Sequence, residues 1–335
     1  MNEVHLEELC KAFGLGTPVS WEENHEGVLN KNYSLVTTSG AYFIKSVREK
    51  RRDSIAYIAA AETFMADGGI PAVRMLKTVD GAEYFEYEDE LYTLYPYIEH
   101  TNVDIGYDYA KLGALLARIH ERGSEPLPSL LTSSTLTEKS NDLVLERLSF
   151  FRAQAAQGKE PVDALFIRYI DAKLALLPVL PEVAYESKTL VHGDYHLRNL
   201  LFSSDGEVIG VCDWEKADLA PRAFEIARSI QLICFENRVP PFQYLREKAL
   251  TVGALFLRGY QAQYPISDEE LRTGFDLRFR KLVATFWIED LHYKQHDSRA
   301  NHFLENEIKM LNEFSTPDTF EKLVNMSREL YTKSP

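Results

Sequence analysis

The spacing of apolar and polar positions changes character once along the chain, near residue 98. Before that point, apolar residues come mostly in short β-rich runs. Tyr33–Thr38 and Ala41–Lys45 are two such runs, and Ser39-Gly40 between them is a hairpin signal. Two more fall around Glu83–Tyr87 and Leu91–Tyr95, separated by the acidic turn Glu88-Asp89-Glu90, and Pro96 breaks the last of them. One helix interrupts this series over 53–67, ended by Gly68-Gly69 with Pro71 just beyond. After residue 104 the spacing becomes helical: Tyr109, Leu112, Leu116 and Ile119 recur on one face. The stretches 141–178 and 242–335 read as largely helical too. Ser267-x-x-Glu270 is a capping-box pattern, and Thr316 precedes a proline at the first helical position, Pro317. The pattern predicts an α+β chain of two lobes, β-rich over 1–98 and mainly helical over 99–335, with one non-helical island at 189–219.

Composition narrows the class. The chain has 335 residues with a net charge of −14. The acidity is shared by the two parts rather than concentrated in one, so it reads as a solubility feature and not as the imprint of a cationic partner. A chain this acidic is not expected to bind nucleic acid, which draws on clustered Lys and Arg. No apolar run is long enough to suggest a membrane span, and the N-terminal segment lacks the basic and apolar regions of a signal peptide. Cys10, Cys212 and Cys234 lie far apart with no CxxC pair, which argues against a disulfide framework or zinc site and for a cytoplasmic location.

Candidate chemistry concentrates in the island. Asp205-Gly206 between two apolar runs is a hairpin signal, so Asn199 precedes one strand and Asp213 follows its partner. Asp194 lies on the incoming loop. Three oxygen-bearing side chains thus converge at one edge of a short hairpin. Magnesium prefers such hard donors, completed by water and substrate phosphates, and a further carboxylate can accept a hydroxyl proton. Phosphoryl transfer asks for little more, because it depends on positioning and charge neutralisation. Taken alone, the same residues would serve equally well as turn formers and a helix cap.

The wider pattern decides between these readings. His192-Gly193-Asp194-x-His196-x-x-Asn199, followed by Asp213-Trp214-Glu215, resembles the aminoglycoside phosphotransferase/choline kinase family of small-molecule kinases, which includes homoserine kinase type II-like members. The resemblance implies a protein-kinase-like fold using ATP and Mg2+, with Asp194 as catalytic base and Asn199 and Asp213 holding the metal. His192 and His196 are expected to orient the loop rather than carry protons. Asp213-Trp214-Glu215 is similar to an Asp-x-Glu variant of the family, which opens a second metal or phosphate contact for Glu215. Glu225 stands where the family usually has Asp, and it is expected to brace the catalytic loop. His120 resembles a family histidine that packs near that loop.

In the first lobe, Ile55, Ile58, Ala59 and Glu62 share one helical face, so Glu62 is a carboxylate on a core-facing stripe unless it lies at the margin and reaches solvent. Lys45, at the end of the neighbouring strand, is its expected partner, in the lysine–glutamate pair that aims a lysine at the nucleotide phosphates. The segment Glu26–Tyr33 resembles a family phosphate loop, with Gly27 and Asn32 as candidate contacts. At the lobe junction, Pro96 has no N–H and offers only a carbonyl to adenine, and Ile98 supplies a donor two positions on. An ordinary edge strand ended by proline is the alternative.

The expected activity is transfer of the γ-phosphate of ATP to a hydroxyl of a small molecule, such as an amino alcohol, amino acid, sugar or aminoglycoside. A catalytically silent member of the same fold, such as a spore-coat-type protein, is the alternative. Retention of Lys45, Glu62, Asp194, Asn199 and Asp213 counts against it. The missing Asp-Phe-Gly and Ala-Pro-Glu segments count against a protein kinase. The last hundred residues carry no legible motif, so the acceptor is not readable, nor is the oligomeric state.

Overall fold

The computed structural model describes residues 3–24, 31–47, 52–88, 90–101, 108–134, 139–183, 185, 188–235, 245–314 and 317–332. Helix α1 (Glu3–Phe13) leads into strands β1 (Pro18–Asn24), β2 (Lys31–Thr37) and β3 (Gly40–Val47), helix α2 (Arg52–Asp67), and strands β4 (Phe85–Tyr87) and β5 (Glu90–Pro96). Helices α3 (Tyr109–Gly123), α4 (Asn141–Gln157) and α5 (Pro161–Leu176) follow. Four short strands come next: β6 (Thr189–Val191), β7 (Leu200–Phe202), β8 (Val208–Val211) and β9 (Asp218–Ala220). The chain ends in α6 (Arg222–Phe235), α7 (Leu245–Gln263), α8 (Asp268–Ala284), the short α9 (Trp287–Glu289), α10 (Leu304–Phe314) and α11 (Pro317–Thr332). The helix expected over 53–67 is α2, and Ser267 caps α8 by accepting from the Glu270 N–H at 3.1 Å. Thr316 lies outside the described residues.

The chain divides into two compact units. The first comprises Met1–Tyr107, Glu125–Ser133 and Leu197–Ala217. It departs from a single cut at residue 98 because the β7–β8 hairpin bonds to the strand-rich part. Val211 exchanges backbone hydrogen bonds with Pro71 and Val73, at 2.7 and 2.9 Å, and the Thr101 N–H donates to the Phe202 carbonyl at 2.9 Å. A short hairpin has too little apolar face to stand alone, and these bonds satisfy its edges.

The five-stranded sheet of this unit is antiparallel, in the order β1-β2-β3-β5-β4. Strand alternation sorts its residues between two faces. Tyr33, Leu35, Ile44, Tyr92 and Leu94 form one face and pack against Leu6, Leu9, Cys10 and Phe13 of α1. Each such side chain, fully buried, contributes about 1.5–3 kcal/mol. The register places Asn32, Lys45 and Thr93 side by side on the opposite face. The helix thus covers one side of the sheet, and the polar candidates line the other.

The second unit, Asp108–Ser124, Ser134–His196 and Asp218–Pro335, is mainly helical. Helices α3 and α7 pack at very close range. A Cβ added to Gly113 would lie 1.9 Å from the Phe256 carbonyl oxygen, and one on Gly259 would lie 1.9 Å from that of Ala110. Only glycine permits this approach. It sets His120 of α3 beside Tyr260 of α7, with Nδ1 and the phenol oxygen 2.9 Å apart. Strands β6 and β9 pair antiparallel in the same unit.

Candidate active site

In the first unit, the hairpin does what its turn signal predicts. Gly206 takes φ 83°, and its N–H donates to the Ser203 carbonyl. Leu200 and Val211 face each other in the β7–β8 ladder, and the Cys212 N–H donates to the Asn199 carbonyl at 2.9 Å. The backbones of Asn199 and Asp213 are therefore brought to the same end of the hairpin. Asp213 adopts φ 66°, ψ 61°, a left-handed conformation uncommon outside glycine. The turn is anchored on both sides of the site. Trp214 is fully buried, its indole N–H on the Val211 carbonyl at 3.0 Å.

Lys45 of β3 reaches this turn. Its ammonium donates to Asp213 Oδ1 at 2.8 Å and to Glu215 Oε1 at 3.1 Å. Burial works against the charge, but the two carboxylates outweigh it and hold the lysine above its ordinary pKa. The expected partner, Glu62, is fully buried, and its oxygens are engaged elsewhere. The Met75 N–H donates to one at 2.9 Å and the Tyr95 hydroxyl to the other at 3.1 Å. Burial pushes the Glu62 carboxyl up to about 8, against the pull of these donors and of the more distant Lys45 charge. Glu62 thus spends both oxygens on Met75 and Tyr95. The carboxylates of Asp213 and Glu215, after β8, take its place at Lys45.

Two other nucleotide candidates are placed by the sheet. Asn32 lies directly opposite Lys45 in the β2–β3 register. Its Oδ1 is buried with no hydrogen-bond partner among the described residues, as expected of an acceptor that meets a ligand or water. The Tyr97 N–H donates to the Ala41 carbonyl, extending the β3–β5 ladder by one bond. By strand alternation the Pro96 carbonyl and Ile98 N–H, on either side, point away from β3. They present an acceptor and a donor in one direction. Gly27 lies outside the described residues.

In the second unit, the loop after β6 carries Asp194. Gly193 takes φ 80°, which a side chain would resist. Glu225 of α6 braces this loop. One of its oxygens accepts from the His192 N–H at 2.9 Å, the other from the Gly193 N–H. It also accepts from His120 Nε2 at 2.9 Å. The His120 ring thus meets Glu225 through Nε2 and the Tyr260 hydroxyl through Nδ1. His192 Nδ1 accepts from the Asp194 N–H at 3.2 Å, so this histidine does orient the loop. Tyr195 is buried, its hydroxyl on the Leu112 carbonyl at 2.9 Å.

The Asp194 carboxylate is itself held. Arg228 of α6 donates from Nη2 to Oδ1 at 2.6 Å, and His196 Nε2 lies 3.8 Å from Oδ2. The sequence reading passed over Arg228, Tyr95 and the Glu215–Lys45 contact. Arg228 had a signal: it follows Glu225 by three residues, and so shares its face of α6. The structure thus gathers Lys45, Asp213 and Glu215 in the first unit, with Asn199 beside them on the hairpin. It gathers Asp194, His192, Glu225 and Arg228 in the second. Among the described residues, no group of three or more His, Cys, Asp or Glu could hold a metal. Asn199 and Asp213 nevertheless offer the oxygen donors magnesium takes when water and substrate phosphates complete its shell.

Comparison with known proteins identifies the family of the chain. The sequence profile of the phosphotransferase enzyme family matches residues 20–264. The chain is 28% identical over 311 residues to a homoserine kinase of Brucella anthropi, covering 86% of each. It is 26% identical over 289 residues to a homoserine kinase of Caulobacter vibrioides, covering 83% of this chain and 86% of that one. Its structure is similar to that of amicoumacin kinase, solved in complex with AMP-PNP, Ca2+ and Ami. The TM-score is 0.63 at 16% identity, with 100% of this chain and 94% of that chain covered. The likeness shows an α+β, kinase-like fold of two lobes. No helix among the described residues is long and apolar enough to cross a membrane. With a family match spanning most of its length, the chain belongs to the phosphotransferase enzyme family and is a small-molecule kinase.

Proposed function

We propose that the protein transfers the γ-phosphoryl group of ATP to a hydroxyl of a small polar molecule. The observation that carries this reading is the Lys45–Asp213 contact at 2.8 Å between residues 168 positions apart. It joins the strand lysine suited to nucleotide phosphates with the aspartate suited to their metal. In this reading Lys45 faces the phosphates, while Asn32 contributes its unsatisfied amide oxygen to water or polar groups beside them. The Pro96 carbonyl and Ile98 N–H read adenine. Gly27 remains a candidate phosphate contact by resemblance. Asn199 and Asp213 hold Mg2+, which when bound neutralises charge on the phosphates.

Asp194 takes the proton of the acceptor hydroxyl as that oxygen bonds to the γ-phosphorus. The bond from γ-phosphorus to the β–γ bridging oxygen breaks, and its electron pair leaves with ADP. Asp194 then returns its proton to solvent. The homoserine kinase relatives put a hydroxyl amino acid of the homoserine type first among acceptors. Amino alcohols, sugars and aminoglycosides follow. The cytoplasm, where ATP and such metabolites meet, is the fitting compartment.

A panel of these acceptors, assayed for Mg·ATP-dependent ADP release, tests the reading. A homoserine-type acceptor should raise ADP release well above the rate with water alone. Phosphate appearing on proteins, with no response to any small alcohol or sugar, would overturn it.

A further inference from the structure

We propose that Arg228 is the positioning residue of Asp194, acting through that carboxylate rather than on the acceptor. The inference rests on the reading of Asp194 as the base. Helix α6 presents Glu225 and Arg228 one turn apart on the same face. Glu225 takes the backbone N–H groups of His192 and Gly193. Arg228 takes the side chain of the very next residue, with Nη2 2.6 Å from Asp194 Oδ1. One helix therefore fixes both the backbone of the loop and the carboxylate it carries.

The two contacts do different things. The Glu225 bonds set where the Asp194 Cα sits. They leave the carboxylate able to turn about its own side-chain torsions. The arginine removes that freedom by engaging one oxygen, which fixes the direction of the other. His196 Nε2 stands 3.8 Å from Oδ2. The side chains of Arg228 and Asp194 are only 18% and 16% exposed, so this is not a surface pair weakened by solvent. Catalysis by a base depends steeply on placement, and an error of about 1 Å can cost on the order of 10²-fold in rate.

The test uses the full chain with Arg228→Met, Arg228→Gln and Arg228→Lys, each alone and combined with Asp194→Asn. Turnover is measured at saturating acceptor and Mg·ATP, with Mg·ATP affinity by calorimetry and the thermal midpoint as a check on folding. Arg228→Met and Arg228→Gln should lower kcat by about 10–100-fold while Mg·ATP affinity stays within about threefold. Arg228→Lys should recover part of the loss, because it restores the charge without the planar fork. In the Asp194→Asn background the same changes should cost nothing further, since residues acting through one another are not additive.

Full kcat in Arg228→Met, or an equal loss in both backgrounds, would overturn the proposal. So would a raised acceptor KM at unchanged kcat, which would make Arg228 an acceptor contact. If Arg228→Met does not fold, the Gln and Lys variants carry the same comparison. An Asp194→Asn enzyme with wild-type turnover removes the base assignment itself, a failure distinct from that of Arg228.

Discussion

The two compact units use opposite charge logic around their candidate residues. In the first unit a cation is held by carboxylates: Lys45 sits on Asp213 and Glu215. In the second a carboxylate is held by a cation: Asp194 sits on Arg228. Each half also contains a fully buried glutamate on a helix, and these differ too. Glu62 has two neutral donors, Met75 N–H and Tyr95 hydroxyl, and burial pushes its carboxyl up to about 8. Glu225 gathers three donors, from His192, Gly193 and His120. The lesson is that a carboxylate on an apolar helical stripe announces that a partner exists, but not which one. The partner depends on what other charges the fold brings within reach. Near Lys45, the turn after β8 brings two.

If the halves have separate duties, their variants should separate most strongly at the two aspartates. Asp194→Ala should lose about 10²–10⁴-fold in turnover while keeping Mg·ATP affinity within a few fold. Asp213→Ala should lose turnover, magnesium dependence and nucleotide affinity together. Calorimetric titration with ATP, with and without magnesium, reads both. An Asp194→Ala protein that is folded yet cannot bind nucleotide would abolish the distinction between the halves.

The buried glutamates give the next largest contrast. Glu225→Ala strands two loop N–H groups and the His120 ring in a fully buried setting. Breaking a buried polar cluster in this way costs on the order of 3–5 kcal/mol. Chemical denaturation should show that loss, with turnover falling alongside as the loop loosens. A Glu225→Ala protein as stable as the parent would mean that the loop is held by other contacts.

What could be read from the sequence follows from the range of the forces involved. The β7–β8 hairpin, α2 and the cap of α8 are local, and turn chemistry, helical spacing and capping residues announced them. Asp194, Asn199 and Asp213 stood out as candidates because the motif compresses them into one short island. The pairing of Lys45 with Glu215 did not, because it depends on a contact across 170 positions and on Glu62 being engaged by Met75 and Tyr95. The same holds within the helices of the second unit. The fully buried Lys173–Glu289 ion pair, at 2.8 Å, joins residues 116 positions apart and has no local signature. Assignment of the hairpin to the first unit was equally out of reach, since it is made by backbone bonds to Pro71, Val73 and Thr101.

The smallest expected effect on activity belongs to Glu62, and it bears most directly on the charge logic of the first half. A glutamate that oriented Lys45 as a charged partner would be costly to neutralise. A carboxyl already carrying its proton at neutral pH would not. Glu62→Gln, which retains an acceptor oxygen for one of the two donors, should therefore change turnover and ATP affinity by only a few fold near pH 7. The pH dependence of stability gives an independent reading. Burial raises the folded-state pKa to about 8, above the ordinary carboxyl value of 4.5, so between these values the native state binds more protons than the unfolded chain. Stability from this group is fully present below the unfolded pKa and is lost as pH rises through the folded one. Denaturation from pH 5 to 9 should show the parent losing stability relative to Glu62→Gln across that window. A difference that stays flat, together with a severe loss of ATP affinity in Glu62→Gln, would show that Glu62 is ionised and holds Lys45 after all.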